Sequence, residues 1–159
     1  MATYDYILEI DGIKGESQPL KDGIDISSWS LGLTNSGSMA QGGGGGTGKS
    51  TFHDMSFSKP ADTASPALMK ACATGQHIKT AKFHGFKAGG ERKEYFTVTM
   101  TDLLVSSFSH GAANGDPHVL DSFSLNFTEI HFEYKPQDAQ GNLGATAEVK
   151  YNIKEAKTK

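Results

Sequence analysis

One run in this 159-residue chain has the residue types and spacing of a phosphate-binding loop: Gly43-Gly44-Gly45-Gly46-Thr47-Gly48-Lys49-Ser50. It satisfies the pattern G-x-x-x-x-G-K-[ST] in full. In a nucleotide-hydrolysing enzyme, backbone N–H groups at a helix start hold the phosphates, the lysine reaches them and the serine ligates Mg2+. That chemistry needs a buried strand before the glycines and a helix after the lysine. Here Thr34 to Gly42 reads Thr-Asn-Ser-Gly-Ser-Met-Ala-Gln-Gly, which is loop composition. Ser50 to Ser58 is dominated by Ser, Thr and Phe, which favour a strand over a helix, and Pro60 closes the segment. With both flanks wrong, the glycines read as a surface connection rather than an anion cradle. A phosphate-loop nucleotide-binding enzyme at Gly43–Ser50 stays as an alternative.

Other reactive residue types form no constellation in the sequence. Histidines 53, 77, 84, 110, 118 and 131 place no two imidazoles on one strand or helix face, so no metal site is read. His84 and His131 read as sheet-surface residues. Cys72 has no local base and reads as a small buried thiol, and a single cysteine excludes an internal disulfide. No serine lies in a nucleophile elbow. No catalytic residue, metal ligand or cofactor is therefore assigned, and the chain reads as non-enzymatic.

Fifteen Lys and Arg against 18 Asp and Glu give a net charge of −3, with no electrostatic pull toward nucleic acid or an anionic membrane. The length suits one domain over 1–159 with a self-sufficient core. Asp5 and Glu9 interrupt the start where a signal peptide needs an unbroken apolar run, and no stretch suits a bilayer span. The expectation is synthesis in a reducing cytoplasm, no membrane insertion, and any export without a cleaved signal.

Period-two alternation organises the chain. Tyr4, Tyr6, Leu8 and Ile10 alternate with acidic residues, a half-buried strand. Ile24 and Ile26 share one parity while Trp29, Leu31 and Leu33 share the other, so the inward face changes phase near Ser27-Ser28. The same slip separates Phe123, Leu125 and Phe127 from Ile130, Phe132 and Tyr134. Further strands read at 77–88, 94–108 and Ala147 to Ile153. Strands that change face midway suit a sheet that coils upon itself. The expected fold is mainly β: a closed antiparallel β-barrel built from two near-orthogonal sheets, with a long Gly-rich loop over 35–50. One short flanking α-helix is expected over 66–74, capped by Asp62 or Ser65, with Pro66 in its first turn, Gly75 at its end and Leu68, Ala71 and Cys72 on its packing face.

Several segments together resemble the Hcp family, the tube subunits of type VI secretion systems. They are Ile10-Asp11-Gly12-Ile13-Lys14-Gly15-Glu16-Ser17, Ile24 to Gly32, Ser36-Gly37-Ser38-Met39 with the polyglycine loop, Ser56-Phe57-Ser58-Lys59, Ser65-Pro66-Ala67-Leu68-Met69 with Cys72 and Gly75-Gln76-His77, and Tyr134-Lys135-Pro136-Gln137-Asp138. The resemblance runs nearly end to end. It implies a barrel that assembles into a homohexameric ring, rings stacked into a hollow tube, and expulsion from a bacterium by a contractile sheath, with spike and baseplate proteins as partners. Secretion and carriage of small effectors in the lumen are implied as well. By the same resemblance Ser30 faces the lumen and cargo, and the Gly-rich loop reaches neighbouring rings, with Met39, Gln41, Gly42, Gly43, Gly44, Gly45, Gly46 and Lys49 as contact residues. The chain departs from the family pattern at Leu31, where many relatives carry an aromatic, and at Tyr151-Asn152-Ile153 near its end. A monomeric ligand-binding β-barrel is the remaining alternative.

A calorimetric titration of the protein with Mg2+ and ATP tests the phosphate-loop reading: no binding heat is expected, and heat abolished by Lys49→Ala would establish a nucleotide site.

Overall fold

A computed structural model describes residues 4–37, 50–87, 93–137 and 142–158, and the described residues form eleven strands and one helix. In order these are β1 (Tyr4–Ile10), β2 (Ile24–Ile26), β3 (Ser28–Ser30), β4 (Leu33–Asn35), β5 (Ser50–Phe52), β6 (Met55–Pro60), α1 (Ala64–Thr74), β7 (Ile78–Lys87), β8 (Lys93–Gly111), β9 (Leu120–Tyr134), β10 (Ala147–Asn152) and β11 (Lys157–Thr158). The mainly β expectation holds. The closed barrel of two orthogonal sheets does not.

Nine strands form one antiparallel sheet in the order β11-β10-β9-β8-β7-β1-β2, with β6 joined to β9 and β3 joined to β6. The path ends at β11 and β2 and its branch through β6 ends at β3, so no ladder joins β2 to β3. These two ends are consecutive in the chain: β2 pairs with β1, Ser27 intervenes, and β3 pairs with β6. The Ser27 amide donates to the Ser58 carbonyl at 2.8 Å, so the backbone turns a corner without losing this hydrogen bond. The phase change expected at Ser27-Ser28 is this corner, where a peptide link stands in for the missing ladder.

The second expected slip is also present, and it is shared by two strands. On β9 the buried set changes from Phe127 to Ile130, and on β8 from Met100 to Leu103 at the same level, since Met100 pairs with Ile130 and Leu103 with Phe127. Asp102 lies between with a φ of 51°, and its carbonyl accepts from the Thr128 hydroxyl at 2.9 Å. A left-handed residue of this kind is one of the few ways a strand can re-aim its side chains.

The core collects the inward residues of both limbs, including Leu8, Ile24, Met55, Phe57, Phe83, Val98, Met100, Phe123 and Leu125. Trp29 and Phe83 lie 5.0 Å apart between ring centres, and Phe57 stacks on Phe123 at 5.1 Å. Such contacts add to the area buried. Leu33, expected inward, is 56% exposed. Its strand pairs with β5 in a separate two-stranded sheet, which reaches the core through Phe52.

The helix begins two residues earlier than expected. Asp62 Oδ1 accepts the Ala64 amide at 2.9 Å while Ser65 Oγ accepts the Asp62 amide at 2.9 Å, so both expected cap residues serve the start together. Gly75, at φ 64°, ends it, as the left-handed position requires. Leu68 and Ala71 are buried and Cys72 half-buried, on the expected face. Beneath the helix start, Lys59 and Asp121 are fully buried as register partners on β6 and β9. Lys59 Nζ donates to Asp121 Oδ2 at 3.0 Å, Asp62 Oδ1 at 2.7 Å, Ser65 Oγ at 3.0 Å and the Pro60 carbonyl at 3.2 Å. Ser65 Oγ also donates to Asp121 Oδ2.

This cluster ties the helix start to two strands, and its charges are interdependent. Lys59→Ala would strand Asp121 without its cation and is expected to cost about 3–5 kcal/mol by urea denaturation. The double change Lys59→Met with Asp121→Leu removes both charges and is expected to cost distinctly less; equal costs would refute the pairing as the source.

Candidate functional site

The face of the sheet opposite Phe57 and Phe123 carries an arrangement set entirely by register. Four strands each contain a Ser-aromatic-Ser triplet: Ser28-Trp29-Ser30 on β3, Ser56-Phe57-Ser58 on β6, Ser122-Phe123-Ser124 on β9 and Ser107-Phe108-Ser109 on β8. Pairing aligns them. Ser28, Ser58, Ser122 and Ser109 form one rung, and Ser30, Ser56, Ser124 and Ser107 form a second. Between the rungs Trp29, Phe57, Phe123 and Phe108 point to the other side. The rungs stay level across β8 and β9 because β8 carries one extra residue at Ser106, between Val105 and Ser107.

The result is a shallow depression of about 620 Å³ lined by eight hydroxyls, with His53 and Asp54 at one end. Ser124 Oγ lies 2.7 Å from Ser106 Oγ and 2.5 Å from Ser107 Oγ. Asp54 accepts from Ser106 Oγ at 2.6 Å and from Asn126 Nδ2 at 2.7 Å, so the one carboxylate at the rim is tied into the sheet. Such a surface offers neutral donors and acceptors and little charge. It suits reversible polar contact, because Asp54, the carboxylate that meets a serine here, is already held by Ser106 and Asn126.

Ser30 is exposed and sits in the second rung, so the residue singled out from the sequence belongs to this face. Its seven companions were not singled out, although the fourfold Ser-aromatic-Ser repeat was a readable signal. Met39, Gln41, Gly42, Gly43, Gly44, Gly45, Gly46 and Lys49 lie outside the described residues. The segments around them are clear: Asn35 pairs with Ser50, so the Gly-rich loop connects the two strands β4 and β5. Ser50–Phe52 is a strand, where a phosphate loop requires a helix.

A second surface is apolar. Leu31, Leu33, Phe52, Phe132, Val149 and Tyr151 line a groove of about 640 Å³ between the β4–β5 hairpin and the β9–β10 edge. Leu33 and Val149 are 56% and 47% exposed. Among the described residues, no helix is long and apolar enough to cross a membrane.

Comparison with known proteins places these surfaces in context. A family model described as "Type VI secretion system effector, Hcp" matches residues 7–134. Protein hcp1 of Pseudomonas aeruginosa is 40% identical over 155 residues, covering 95% of this chain and 96% of that protein. Among solved structures, one described as a type six secretion system protein superposes with a TM-score of 0.92 at 26% identity, covering 99% of this chain and all of its own. Hcp1 from Salmonella typhimurium superposes with a TM-score of 0.78 at 32% identity over the full length of both chains.

One histidine differs from expectation. His84 is 6% exposed rather than on the sheet surface, with Nδ1 2.7 Å from Glu94 Oε1 and Nε2 2.8 Å from Glu9 Oε2. A neutral ring has one N–H, so only the imidazolium satisfies both carboxylates. Burial pulls the His84 pKa down, but the hydrogen bonds to Glu94 and Glu9 outweigh it and the pKa is raised from 6.5. The hydrogen bond from His84 in turn lowers the Glu94 pKa. A raised folded-state pKa gives stability that is complete below the unfolded value and lost as pH climbs through the folded one. Glu94 contributes in the opposite sense, losing its share as pH falls through its lowered pKa. The urea midpoint is therefore expected to drop as pH rises from the ordinary histidine value of 6.5 through the raised pKa of His84, and His84→Gln is expected to flatten that slope; an unchanged slope in the variant would assign the dependence elsewhere.

Proposed function

The chain belongs to the Hcp family of type VI secretion proteins, and from that premise we propose that it is a structural tube subunit of such a system rather than an enzyme. Six copies close into a ring, rings stack into a hollow tube, and the tube is driven out by a contractile sheath together with its spike and baseplate partners. The observation that carries this reading is the end-to-end likeness in sequence and backbone to Hcp proteins.

Two surface features support it. The apolar groove around Leu33 and Val149 is the kind of face that a neighbouring protomer covers in a cyclic assembly. The loop between β4 and β5 leaves from the rim of that groove, since Asn35 and Ser50 both line it. In this reading Met39, Gln41, Gly42 to Gly46 and Lys49 make contacts between rings. The serine face, with Ser30, lines the bore. Small effector proteins carried there meet hydroxyls, so cargo of either charge is held weakly and released. The subunit is made in the cytoplasm and leaves through the machine itself, without inserting into a membrane.

Negative-stain images of the purified protein are expected to show rings with an open centre, and light scattering a mass roughly six times that of one chain. A monomer at high concentration would favour the ligand-binding barrel instead. Deleting Gly42 to Gly46 is expected to weaken stacking while leaving thermal unfolding unchanged; normal polymerisation by the deletion variant would remove the loop from the assembly mechanism.

A further inference from the structure

We propose that His131, Glu133 and Glu148 bind one divalent transition-metal ion of the Zn2+ class on the face of β9–β10 opposite Ile130 and Phe132. His131 and Glu133 are two apart on β9 and share a face. Register then sets Glu148 of β10 directly opposite Glu133. Like charges in directly opposed positions cost stability unless a cation lies between them. Here both carboxylates turn toward one nitrogen: His131 Nε2 is 3.0 Å from Glu133 Oε1 and 2.9 Å from Glu148 Oε2.

The spacing suits a metal. Nitrogen and oxygen ligands about 2.0–2.2 Å from a tetrahedral ion stand roughly 3.4 Å apart, so the two hydrogen-bonded contacts of 3.0 and 2.9 Å must open slightly to admit one. The three donor atoms lie within 4.8 Å of one another, so one central ion reaches all of them with little movement. An imidazole with two carboxylates favours Zn2+ and its neighbours over Mg2+ or Ca2+, which prefer oxygen alone. The ligands stand on two hydrogen-bonded strands, which keeps the set in place. His131 and Glu133 are partly covered while Glu148 is about half exposed, so an ion can enter and complete its shell with water. The rivals for Glu148 are the hydrogen bond it takes from His131 and, behind that, the positive charge of Lys150, which lies across from His131 on β10. A bound ion would clip β10 to β9 beside the apolar groove. The sequence reading missed the site because it sought paired histidines rather than a histidine with a carboxylate two residues on and another across the ladder.

Calorimetric titration of the untagged protein with ZnCl2 tests this. One Zn2+ per chain is expected, with a rise in melting temperature and no response to MgCl2. His131→Gln and Glu148→Gln are expected to weaken that binding by more than about ten-fold, the loss that even outer-sphere changes bring. His77→Gln, which alters an exposed histidine elsewhere, is expected to leave it intact. Absence of Zn2+ binding, or binding that survives both His131→Gln and Glu148→Gln, would overturn the proposal.

Discussion

The register of β9 is the constraint on which the rest of the molecule hangs. This strand pairs with β8 along almost its whole length, with β6 through its first half and with β10 through its second. A slip of one residue would exchange its two faces. Phe123 and Leu125 would go to solvent, Ser122 and Ser124 would enter the core, and Asp121 would lose Lys59. The buried pair, the serine rungs and the cluster at His131 are therefore not independent features. Each reads the same alignment at a different point along one strand.

That alignment divides the labour of the two faces. Aromatic and aliphatic residues on one side supply the buried area, and their ring contacts favour particular neighbours over others. The other side is free to be hydroxyl-rich because serine adds little to stability and tolerates the strand geometry when its neighbours are aromatic. The buried Lys59–Asp121 pair is poor as a source of stability, since two charges are taken from water. Its value is positional. Only one placement of the helix start lets Asp62, Ser65 and Asp121 all reach the same ammonium.

Much of this was legible from residues alone. Alternation located most strands, the caps and Gly75 located the helix, and the parity change at Ser27 located the corner. The residues after Lys49 read as a strand, and Ser50–Phe52 is one. What failed to show was pairing across long separations. Nothing local to Ser27 says that the segments on either side choose different partners, so the open ladder was read as a closed barrel. His84 looked exposed because its strand alternates plausibly, and its burial depends on Glu9 and Glu94 arriving from other strands. The serine rungs needed four registers at once. The groove needed the β4–β5 hairpin to pair apart from the main sheet, which no periodicity encodes.

The corner at Ser27 also sets an order of events during synthesis. Strand β2 can meet β1 early, but β3 waits for β6, and β6 has no second neighbour until β9 has been made. Until Tyr134 has left the ribosome, Trp29 and Phe57 have only part of their enclosure. Pairings of such wide separation fold slowly. The nascent subunit thus carries an unfinished apolar wall until β9 is made, a consequence of the topology rather than of any single residue.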